Sequence, residues 1–177
     1  MFRATKWAMV AALAVLAMPR VSGQCLPILC ALTLTLQSDA SGLTLGGSGT
    51  NSATMSFGAM QAFGGTVLSG VTKTVGTAHW TINTPFDVKV TCSNLLTLLP
   101  CTLLLTPTYS LTAQLESADA NNSWEIGGTT LSSSSASTLT STGTYGAVTA
   151  YTFSLKIPFS ESSGAISNSI NFLSVSN

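Results

Sequence analysis

Arginine does not occur after Arg20 in this 177-residue chain, and the only lysines beyond Lys6 are Lys73, Lys89 and Lys156. Three cations spread so far apart cannot neutralise a run of phosphates, which excludes nucleic acid as a natural partner. Histidine occurs once, as His79. With one histidine, no Gly-x-Ser-x-Gly elbow and no His-Glu-x-x-His helix, the chain offers no readable catalytic centre, and no catalytic residue is assigned. Membrane-length apolar runs are missing too. Trp7 to Met18 is twelve residues long, and Leu95 to Leu105 is broken by Pro100, against the roughly 20 residues a bilayer-crossing helix needs. Helix-favouring runs of Glu, Lys, Arg and Gln are equally scarce, so the chain reads as all-β.

What is present begins with a basic start (Arg3, Lys6), the short apolar run and the small residues Val21-Ser22-Gly23. That order is the pattern of an export signal cleaved after Gly23, so residues 1–23 are expected to be a signal peptide and the only membrane-directed segment. Residues 24–177 then form a single domain carrying three lysines against six carboxylates, a formal charge of −3. The expected location is outside the cytoplasm: periplasm, cell surface or medium. Four cysteines, Cys25, Cys30, Cys92 and Cys101, all fall in that exported part. In an oxidising compartment they read as disulfides, with three pairings open. Spacing favours two local bridges, Cys25 to Cys30 and Cys92 to Cys101. Zinc is disfavoured because the two pairs do not both have knuckle spacing and only one histidine is available, so no metal or other cofactor is expected.

Period-two alternation dominates the rest of the chain, the mark of strands with one buried face. Ala31 to Leu36 alternates leucine with threonine; Thr77 to Ile82, Phe86 to Cys92, Tyr109 to Leu115 and Tyr151 to Ile157 follow the same rule. Near the end the pattern shifts. Ile170 and Phe172 share one face while Leu173 and Val175 take the other, which predicts a bulge or a doubly buried strand. Turn formers separate these runs, among them Gly46-Gly47, Asn83-Thr84-Pro85 and Gly127-Gly128. Ser132 to Ser141 reads as a low-complexity loop. Short strands at intervals of roughly ten residues predict a sandwich or barrel, with roughly seven to nine strands.

Two clusters invite a chemical reading. Asp119 and Glu125 flank Trp124, and with Asn121 and Asn122 they supply oxygens for a weak calcium or glycosidase signal, though a solvated turn is the simpler expectation. Trp80 and Trp124 are candidates for stacking on sugar rings, which would make the chain an extracellular carbohydrate-binding or adhesin module. Each lies at an apolar position of a strand pattern, though, and packing in the core or at its rim is the simpler expectation.

Several stretches resemble bacterial secreted β-sandwich subunits of the pilin and spore-coat-U type. Met55-Ser56-Phe57-Gly58-Ala59-Met60 is similar to their early Phe-Gly motif. Ile157-Pro158-Phe159, followed by Ser163 to Phe172, resembles their closing hairpin, and Thr84 to Val90, Tyr109 to Leu115 and Trp124 to Gly127 resemble their central strands. The resemblance implies an immunoglobulin-like β-sandwich completed by a strand from a neighbour. By that implication the protein is a non-enzymatic structural subunit of a surface filament, pilus or coat. Its partners would be copies of itself or related subunits, with a periplasmic chaperone or a surface glycan as further candidates. Residues 24–38 are the candidate donor, through Leu32, Leu34 and Leu36, or else the first strand of their own sandwich. Two features depart from the pattern: cysteines crowd the N-terminal end, and Ser176-Asn177 closes the chain without a penultimate tyrosine.

Overall fold

The computed structural model describes residues 30–40, 43–57, 60–61, 67–94, 108–161 and 165–177. Among them there is no helix. The strands are β1 (Cys30–Gln37), β2 (Leu43–Gly46), β3 (Ser52–Phe57), β4 (Met60–Gln61), β5 (Thr72–Val75), β6 (His79–Asn94) and β7 (Thr108–Leu115). They continue with β8 (Ser123–Ile126), β9 (Thr129–Thr130), β10 (Ser137–Thr144), β11 (Val148–Pro158), β12 (Ala165–Ile166) and β13 (Ser169–Ser176). Two antiparallel sheets hold nearly all of them. One runs β1-β6-β11-β8-β9, with β5 beside the first part of β6; the other runs β10-β7-β13-β3-β2. The short strands β4 and β12 make a separate two-stranded ladder.

Alternation puts one side of each sheet into a shared core. Phe86, Val88, Val90, Phe153, Leu155 and Trp124 come from the first sheet; Met55, Phe57, Leu111, Ile170 and Phe172 come from the second, and all are buried. Aromatic rings tie the layers together: Phe57 meets Phe153 at 4.1 Å between centroids, and Phe86 meets Phe172 edge-on at 5.9 Å. Such pairs add about 0.5–1.5 kcal/mol each beyond the area they bury. The expected all-β sandwich is what the strands build.

Three expectations about local structure are corrected. Asn83-Thr84-Pro85 is no turn; it lies inside β6. Proline is tolerated there because β1 pairs with 87–94 and β5 with 80–83 on the same side of β6. The missing N–H of Pro85 therefore falls in the gap between two strands, where no ladder bond is lost. Its carbonyl, on that same side, accepts a hydrogen bond from Ser38 Oγ at 3.0 Å. The Ser/Thr tract is a loop only in part, since Ser137–Thr144 is β10, paired with β7 through two register shifts. Finally, β13 neither bulges nor buries both faces. Its register with β7 runs unbroken from Ile170↔Leu115 to Ser176↔Tyr109, so Ser174 follows Ile170 and Phe172 inward while Leu173 and Val175 stay outside, 44% and 49% exposed. Ser174 is accommodated because its N–H and its hydroxyl both donate to the Asn51 carbonyl, at 2.8 and 3.0 Å.

Candidate functional site

The first strand defines the site. β1 lies antiparallel to β6 from Cys30↔Asn94 to Gln37↔Asp87, and among the described residues β6 is its sole ladder partner. The Leu/Thr alternation of β1 sends Leu34 and Leu36 into the core, 0% and 6% exposed, with Leu32 partly buried beside them. Across the core they face β13 and β3 of the other sheet. Burying a leucine side chain is worth about 1.5–3 kcal/mol, so Leu34 and Leu36 together carry several kcal/mol of the affinity of this strand for its groove.

The outer edge of β1 is partly closed. Leu34 N–H points away from β6 and donates to the Thr50 carbonyl at 2.7 Å. The same 48–51 turn supplies the Asn51 carbonyl that caps Ser174, so one short segment fastens β1 to β13. Gly47 and Gly49, both at positive φ, let the chain turn there at little conformational cost. The structure thus seats Leu32, Leu34 and Leu36 as the first strand of their own sandwich, one of the two arrangements the sequence left open.

The other candidates are dispersed. Trp124 is 1% exposed, wedged between Phe57 and Phe153 at 5.8 and 5.7 Å, and cannot reach a sugar. Its indole N–H donates to Asp119 Oδ2 at 2.8 Å. Asp119 also accepts from the Asn121 and Asn122 N–H groups and from Asn122 Nδ2. Burial pushes the Asp119 carboxyl up, but these hydrogen bonds outweigh it and hold the group below its ordinary value. Both of its oxygens are committed to pinning the β7–β8 loop. Glu125 accepts at Oε1 from Lys156 Nζ at 2.7 Å and from Ser123 Oγ at 3.1 Å. The two carboxylates weighed as acids or calcium ligands therefore serve the loop and the sheet surface. Among the described residues no group of three or more His, Cys, Asp or Glu is placed to hold a metal.

Trp80 is half-buried at the open end of the first sheet. Lys73 Nζ lies 4.5 Å from its ring centroid and Phe159 meets it edge-on at 5.6 Å. It is the one predicted glycan-contact residue that reaches the surface. Cys92, the register partner of Leu32, is partly buried against the core and disulfide-bonded. Cys25, Cys101 and the side chain of Cys30 lie outside the described residues, as does Leu95 to Leu105, so the expected pairing is neither met nor opposed.

Sequence reasoning missed the outward exposure of Leu173 and Val175. The signal is present in the phase of the last strand, but it reads as a bulge or a doubly buried strand because two large apolar residues are seldom spent on water. Comparison of the chain with protein-family models, with curated proteins and with solved structures found no match.

Proposed function

We propose that this chain is a non-enzymatic, exported structural subunit that joins copies of itself by exchanging β1, the strand of one copy filling the β6 groove of the next. The observation that carries this reading is the placement of β1. Among the described residues it pairs with β6 alone, and its leucines fill a slot between β6 and the facing strands β13 and β3. A β1 from another copy is chemically identical and would restore the same ladder bonds and the same buried leucines, so exchange loses no contact that the isolated fold makes. The resemblance to strand-complemented pilin-like subunits and the leader-like first 23 residues point the same way. The pairing of Asp119 and Glu125 with structural partners supports a chain without catalytic acids.

The test uses the register itself. Thr33 and Thr91 are partners across β1 and β6, so a Thr33→Cys/Thr91→Cys variant reports which copy's β1 occupies the groove. Exchange predicts a ladder of covalent multimers on a non-reducing gel, absent from the unsubstituted chain, and filaments in negative stain. Crosslinking confined to the monomer band at all concentrations would refute the reading.

A carbohydrate-binding role loses Trp124 and rests on Trp80 with Phe159. Its test is a change in tryptophan fluorescence on titration with polysaccharide, abolished by Trp80→Ala.

A further inference from the structure

Charge is distributed unequally between the two sheets. Lys73, His79, Asp87, Lys89, Glu125 and Lys156 all belong to strands of the first sheet. The strands of the second, β2, β3, β7, β10 and β13, contain no Asp, Glu, Lys, Arg or His at all. Soluble surfaces ordinarily carry charged residues at about one position in four, so an uncharged face five strands wide stands out.

Its layout is also ordered. β13 is the middle strand of that sheet, and its outward residues Leu173 and Val175 are the large apolar side chains exposed on the face. They are bordered by Ser110 and Thr112 on β7 and by Ser52 and Thr54 on β3. Beside them Thr54, Thr112, Gln114, Asn171 and Leu173 line an open hollow of about 320 Å³. An apolar centre, a rim of hydroxyls and amides, and depletion of charge are the anatomy of a protein–protein interface.

We infer that this outer face is an interface on which a second copy of the chain packs, sheet on sheet about a two-fold axis, with Leu173 and Val175 of each copy against the hollow of the other. Size favours this occupant. Five strands at about 4.8 Å spacing and about six residues at about 3.4 Å give roughly 500 Å² per copy. Two such faces bury roughly 1,000 Å², enough for a specific interface at the weaker end of the range. Charge favours it as well: two uncharged faces meet without desolvating an ion or opposing like charges. Among the described residues no aromatic side chain projects from the face to stack on a sugar ring, which disfavours a glycan. This interface is independent of β1 exchange, which uses the other sheet.

The test is sedimentation velocity on protein expressed from the full chain with its own N-terminal segment, over about 1 to about 100 µM. A concentration-dependent dimer is expected. Leu173→Lys should weaken it at least about tenfold by burying two like charges. Thr152→Lys, on the exposed outer face of the first sheet, should leave it unchanged. Circular dichroism and the melting midpoint confirm that both variants fold. A monomer throughout this range, or a Leu173→Lys protein that dimerises like the unsubstituted chain, overturns the inference, as does a monomer that binds a neutral glycan through Leu173. The Thr33/Thr91 cysteine reporter separates this interface from strand exchange. Dimers crosslinked only within each chain show the face without exchange; inter-chain ladders that persist in Leu173→Lys while lateral pairing is lost show both contacts, each independent of the other.

Discussion

The two sheets of this sandwich share a core and differ in what they show to water. The outward side of the first is laced by charge and polar pairs: Lys156 to Glu125 at 2.7 Å, and Ser154 Oγ to Asn83 Oδ1 at 2.6 Å. The outward side of the second has only hydroxyls, amides and two bare aliphatic residues. Its polar contacts are short cross-strand ones, such as Ser56 Oγ with Ser169 Oγ at 2.7 Å. Inside, the two are matched ring for ring. Burial therefore sets the inner faces alike, while the outer faces are free to diverge, and that divergence is where a functional difference is to be sought.

Substitutions can break or sharpen the comparison. The largest effect is expected at the edge of the uncharged sheet, where Gly143 lies opposite Tyr109. A Cβ at Gly143 would come within 2.3 Å of the Tyr109 ring, and the ring is buried with nowhere to go. Gly143→Val should cost about 3 kcal/mol or prevent folding altogether, read by urea unfolding. Leu34→Ala in the other sheet should cost about 2–5 kcal/mol, the range for truncating a fully buried leucine. If β1 is exchanged between copies, that loss also appears as weaker assembly.

Smaller effects come from the polar anchors. Asp119→Asn leaves the buried Trp124 indole without its carboxylate acceptor and should cost about 1–3 kcal/mol at neutral pH. The folded value of Asp119 lies below its ordinary 3.8. Its contribution is therefore complete above the unfolded value and is lost as pH falls through the lowered folded one. The difference between Asp119→Asn and the unsubstituted chain should shrink steadily on acidification below about pH 4, and a difference that stays constant in acid would show that the carboxylate is not the cause. Lys156→Ala should change stability by less than about 1 kcal/mol, because its partly exposed ion pair is screened by solvent. If it costs more, the charged face is structural and the contrast with the uncharged one is sharper still.

Most of the strand pattern was legible because period two has one physical cause, a buried face beside a wet one. Tyr109 to Leu115 and Tyr151 to Ile157 read correctly for that reason. Pro85 misled because the rule against proline in strands concerns a lost ladder bond, and the gap between β5 and β1 is visible only once both are placed on β6. The Ser/Thr run of β10 misled because composition cannot see the ladder that β7 offers it. For Trp124 the sequence favours folding back onto the core, with sugar stacking the lesser reading, and it is buried. What the sequence did not show is that its polar neighbours Asp119 and Asn122 become the acceptor and clamp that fix it there.

The sequence by itself determined the all-β build, the identity of the core leucines and aromatics, and the phase of nearly every long strand, since alternation is local and each strand carries its own record of it. Only the tertiary structure decided which sheet each strand joined. With that came the seating of β1 on β6, the burial of Ser174 beneath the Asn51 carbonyl, and the gathering of five strands without a charge into one face. Those outcomes depend on partners far apart in the chain, such as Asn51 and Ser174 or Leu34 and Val90. Long-range pairing is chosen by the summed free energy of the whole core, which no local pattern contains.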